Sequence, residues 1–88
     1  MSIIITNDIE TMGYICYEDE SNHDCVLAMI WVRDKPSKKI LFHTKKYMFD
    51  AAKLFLASAM TDYSDYHRAK ALMFADYLAW YDRRHPNA

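Results

Sequence analysis

Asp8 and Glu10 stand two residues apart after the β-branched run Ile3-Ile4-Ile5-Thr6. Side chains two apart in a strand project to one side, and a carboxylate pair placed so can hold divalent metals that activate water for phosphodiester cleavage. Cys16, His23 and Cys25 supply thiolate and imidazole, which suit zinc. No C-x-x-C or H-x-x-x-H spacing unites them, and Cys25 opens an apolar run where a buried structural thiol is expected. His67 follows Ser64 and Asp65, the residue types of a hydrolase triad, but neighbours in sequence on a helix point in different directions. His43 and His67 are expected to be partly buried ring donors. No catalytic residue, metal site or cofactor is assigned.

The segment Asp8-Ile9-Glu10-Thr11, following Ile3-Ile4-Ile5, resembles the first motif of the proofreading exonucleases with four acidic metal ligands, in which a strand ends in Asp-x-Glu-Thr. The resemblance implies Asp8 and Glu10 as metal ligands within a large mixed sheet flanked by helices. That family also needs two further aspartates and a His or Tyr at fixed spacing, in a larger fold than 88 residues allow. Asp8 and Glu10 are therefore expected to be ordinary acids at a strand end.

A chain of this length is expected to form one domain, residues 1–88, burying roughly 60 to 65% of its unfolded surface. Hydrophobic residues at 52% and charged ones at 26% match globular averages, which argues against disorder. One glycine and two prolines leave little material for a phosphate-binding loop or a linker. Two cysteines are too few for a disulfide framework. The N-terminal isoleucines lack a basic flank, and no stretch approaches the ~20 apolar residues of a membrane span. A cytoplasmic protein with no membrane association is expected.

Ser2 to Thr6 and Tyr14 to Glu18 read as strands. Cys25 to Val32 is apolar without a break, as in a strand covered on both faces or lying against helices, and Asp34-Lys35-Pro36-Ser37 supplies a turn before Lys38 to His43 returns. The expected hairpin is 25–33 with 38–44. From Tyr47 the apolar period becomes helical, with Met48, Ala52, Phe55, Leu56, Ala59 and Met60 on one side. A second helix is bounded by Asp62 to Asp65 and by Arg83, Arg84 and Pro86. Strands followed by helices predict an α+β fold: an antiparallel sheet of three to four strands with two C-terminal helices on one face.

The second helix has an unusually wide apolar arc. One buried stripe needs about 100°, whereas the apolar residues of this helix cover roughly half the circumference. Phe74, Leu78 and Tyr81 suit a core, with Phe55, Leu56, Val26 and Ile30. Tyr66, Met73, Tyr77 and Trp80 form an edge of types favoured at protein interfaces, expected to be partly exposed.

Charge is segregated along the chain despite a net of −1. Residues 6–24 hold six acids and no Lys or Arg, and residues 33–46 hold six bases and one acid. Glu18, Asp19, Glu20 and Asp24 are candidates for contacting a basic groove on a larger protein, such as a nucleic-acid-binding enzyme. Lys35, Lys38 and Lys39 offer the alternative of phosphate contacts, against which the sequence pI of about 6.4 weighs. The leading expectation is a non-enzymatic protein-binding module, an inhibitor or modulator in the style of phage-encoded proteins that disarm host defences. The alternatives are a homodimeric structural or accessory protein and a nucleic-acid-binding accessory factor.

Overall fold

The computed structural model describes residues 2–58, 61 and 64–86. Four strands, β1 (Ile3–Ile9), β2 (Met12–Glu18), β3 (Val26–Val32) and β4 (Lys38–Phe42), precede two helices, α1 (Lys45–Ala57) and α2 (Asp65–Arg84). The sheet is antiparallel in the order β1-β2-β3-β4, so each strand pairs with its sequence neighbours. The predicted α+β architecture is the one observed.

Alternation in β3 decides which face is covered. Val26, Ala28, Ile30 and Val32 are buried, while Leu27, Met29 and Trp31 between them are half-buried. The paired positions Cys16 and Tyr14 on β2 and Ile5 on β1 are buried with the first set, and α2 packs across β1, β2 and β3 on that face. Burying side chains the size of Val26 and Ile30 stabilises the fold by about 1.5–3 kcal/mol each. Both cysteines are free and buried, and burial pushes the Cys16 thiol up to about 12.

The turns follow local chemistry. Glu10 and Thr11 alone join Ile9 to Met12, so β1 runs three residues past Thr6 and β2 begins before Tyr14. Asp34 turns the β3–β4 connection at φ 64°, a left-handed conformation that Asp tolerates better than most residues. Thr44 caps α1 by accepting the Tyr47 N–H at 2.9 Å, which starts this helix two residues before the expected Tyr47. Ser64 likewise accepts the His67 N–H at 3.2 Å and starts α2 at Asp65. The proposed continuation of the first helix to Ala59 and Met60, and the start of the second at Asp62, lie outside the described residues.

Two packing expectations are corrected. Met73 and Tyr77 are 0% exposed, not part of a partly exposed edge. The reason is that α2 is covered twice: its Met73/Tyr77 side lies on the sheet, and its Phe74/Tyr81 side meets α1, where Phe49 stacks on Tyr81 at 4.3 Å and Phe55 meets Phe74 edge-on at 5.1 Å. The wide arc is thus spent on two neighbours. Leu56, expected in the core, is 40% exposed, because α1 packs chiefly against α2, through Met48 and Ala52.

Buried hydroxyls pin the layers together. Tyr77 Oη donates to the Lys45 carbonyl at 2.7 Å, joining α2 to the first turn of α1, and burial raises its pKa. Tyr14 Oη donates to Asp76 Oδ2 at 2.8 Å, joining β2 to α2. Desolvation, then the Asp76 hydrogen bond, pushes Tyr14 up to about 12.

Candidate functional site

At the end of the sheet where β1 begins and β2 finishes, α2 delivers its last turns. Trp80 packs partly against the core there, with its ring 5.4 Å from Tyr77. One turn on, the Arg84 guanidinium lies 4.9 Å from the centre of the Trp80 ring, the attraction of a cation for an aromatic face. His85 follows and stacks on Tyr81 at 4.0 Å.

These groups line a cleft of about 560 Å³ with Ile3, Ile4, Glu18 and Lys45. Glu18 Oε2 accepts from Lys45 Nζ at 2.6 Å, which holds the Glu18 carboxyl below its ordinary value of 4.5. Beside the cleft, and sharing Glu18 and Ser2 with it, a shallower depression of about 160 Å³ is lined by Asp19, Glu20 and His23. Of the acids singled out in the sequence, Glu18 therefore lines the cleft that holds Trp80, and Asp19 and Glu20 line the depression next to it. The fourth, Asp24, accepts the Lys45 N–H at 3.4 Å and helps fix the start of α1.

The remaining candidates lie elsewhere. Met73 and Tyr77 are interior, and Tyr66 is at the opposite end of α2, its hydroxyl donating to the Pro36 carbonyl. Lys38 sits 4.3 Å over the Tyr66 ring. Lys38 and Lys39 line a second cleft, of about 520 Å³, with Ile30, Ile40, Tyr66 and Lys70. Among the described residues no carboxylate pairs with Lys38, Lys39 or Lys70. Lys35 is exposed in the turn and does not line this cleft.

Separation of charge along the chain is not separation in space. Asp8 and Glu10 lie at the same end of the sheet as the basic hairpin, and Glu10 approaches Arg33 at 3.6 Å. Lys45 and Lys46 pair with Glu18 and Asp50. The acids that cluster are those of the β2–β3 connection. Glu10 stands in the turn, outside the strand that carries Asp8, so the two do not share a strand side. Among the described residues, no three His, Cys, Asp or Glu side chains converge as a metal requires, and no helix is long and apolar enough to cross a membrane.

Arg84, His85, Ile4 and Lys70 were missed in the sequence. Arg84 was findable, since Trp80 and Arg84 are four apart and meet on one helix face. Ile4 and Lys70 enter their clefts only through tertiary packing. No family model, curated protein or solved structure matches the chain.

Proposed function

We propose that the protein is a non-enzymatic binding module that occupies a surface of a larger partner protein, as an inhibitor or modulator does, through the Trp80 cleft and its acidic border. The observation that supports it is that Trp80 and Arg84 of α2 line one cleft with Glu18, and that Glu18 also lines the adjoining depression that holds Asp19 and Glu20. Trp and Arg are the residue types most often found to carry binding energy, and a ring of carboxylates favours a basic partner surface. Affinity capture from the native host, with Trp80→Ala and Arg84→Ala proteins alongside, followed by measurement of Kd for the captured protein, tests it. Loss of capture by both variants is expected, and undiminished capture rejects the proposal.

A second reading, a nucleic-acid-binding accessory factor, is supported by the cleft that sets Lys38 and Lys70 beside Tyr66. Lysines of this kind neutralise phosphates while an aromatic ring stacks a base. Salt-dependent binding of a short oligonucleotide, lost in Lys38→Ala/Lys70→Ala, supports this reading. Oligonucleotide binding equal in wild type and double variant counts against it.

A further inference from the structure

The two helices cover one face of the sheet, and the other face is apolar as well. Ile15 and Tyr17 of β2, Leu27, Met29 and Trp31 of β3 and Leu41 of β4 project from it. Leu41 is 48% exposed, and Ile3, which joins them from β1, is 54% exposed. An antiparallel sheet with one solvated face ordinarily alternates apolar and polar side chains, which this sheet does not do. Among the described strand positions on this face only Asp8 and Lys39 are charged. They stand on opposite edge strands, and neither has an ion-pair partner among the described residues.

We infer that this face binds a second copy of the chain, sheet against sheet, about a two-fold axis running parallel to the strands. Such an axis lays β1 of one copy over β4 of the other. Following the cross-strand register, Ile3 then faces Leu41, Tyr17 faces Leu27 and Ile15 faces Met29 of the second copy. Lys39 faces Thr6, one row of side chains from Asp8, so each Asp8 meets a Lys39 of the other copy and the pair occurs twice by symmetry. The other in-plane axis, perpendicular to the strands, sets Lys39 against Lys39 and is disfavoured by like charge. Area permits the contact. Four strands at about 4.8 Å spacing and seven residues at about 3.3 Å give a face of about 440 Å² per copy. Two copies bury about 880 Å² before side-chain relief is added, close to the ~1,000 Å² expected of a specific interface.

Size-exclusion chromatography with light scattering at tens of micromolar tests the inference. The wild type is expected at twice its 10.4 kDa chain mass. Met29→Glu is expected at the single mass with its helical circular dichroism intact, because Met29 lies on the uncovered face. Asp8→Lys or Lys39→Asp alone places like charges together and is expected to weaken self-association about tenfold, the sum of two modest ion-pair effects. The two exchanges combined in one chain restore the attraction and the dimer, as does mixing the two single variants. The inference is overturned by a wild type that stays monomeric at hundreds of micromolar, by a Met29→Glu protein that remains dimeric, or by a combined exchange no better than either single one.

Discussion

The Arg84 guanidinium lies over the Trp80 ring, one helical turn along α2, 4.9 Å from its centre. Arg84 shields one face of an indole whose other contacts run to Tyr77 and Tyr81. Removing the guanidinium leaves the ring seated but less covered. Arg84→Ala is therefore expected to lower stability by no more than about 1 kcal/mol, the size of an exposed cation–π contact, as read by urea denaturation.

Tyr77 combines full burial with a single hydroxyl bond to the Lys45 carbonyl. Tyr77→Phe keeps the ring and removes the donor. A loss of about 1 to 1.5 kcal/mol is expected in urea denaturation, with the Lys45 carbonyl losing its partner. Tyr77→Ala is expected to cost about 3 to 5 kcal/mol, the range for emptying a large buried aromatic site.

Trp31 lies directly over Gly13. A Cβ built at Gly13 falls 2.2 Å from Trp31 Cζ2 and 2.6 Å from the Asn7 carbonyl oxygen, too close to both. The constraint is steric, since Gly13 has no positive φ. Gly13→Ala is expected to displace the indole and to cost about 1 to 3 kcal/mol, as overpacking does. In a Trp80→Phe background, a red-shifted Trp31 emission reports the displacement, and unchanged emission and stability contradict it.

Tyr14 carries the alkaline limit of the fold. Its folded-state pKa, about 12, lies above its ordinary 10, because burial and Asp76 disfavour the phenolate. The stabilisation is fully present below pH 10 and is lost as pH rises through about 12, since the unfolded chain ionises first. Stability measured from pH 9 to 12 is expected to fall less steeply in Tyr14→Phe than in the wild type. Tyr77, also raised, contributes in the same direction.

The strands and the β3–β4 hairpin were legible in the sequence because apolar runs and turn residues are local signals, whereas the order of the strands in the sheet rests on tertiary pairing and was not. The start of α1 was missed by two residues because Thr44 does its capping within His43-Thr44-Lys45-Lys46, a polar stretch that lacks periodicity. The Trp80 candidate was legible in part. Its residue type and helical position were visible, but an arc on one helix cannot reveal whether a sheet, a second helix or solvent covers each edge, so Met73 and Tyr77 were assigned to the surface when they are interior. The unbroken run Cys25 to Val32 carried a further signal. It reads as a strand covered on both faces or lying against helices, and within the chain helices cover one face.

The acidic border of the Trp80 cleft predicts the kinetics of association. Glu18→Gln/Asp19→Asn/Glu20→Gln is expected to slow association with the partner and flatten its salt dependence, with dissociation little changed. Neutralising Lys35, Lys38 and Lys39 is expected to leave both rates unaltered. Stopped-flow or surface-plasmon measurement at two salt concentrations separates the cases.

The most direct test is the affinity of Trp80→Ala for the captured partner, in a protein whose circular dichroism confirms the fold. A hot-spot side chain costs more than about 2 kcal/mol on truncation, equivalent to about a thirtyfold rise in Kd. That rise is the expected result, and a Trp80→Ala protein that binds with wild-type affinity contradicts the assignment of this cleft as the binding surface.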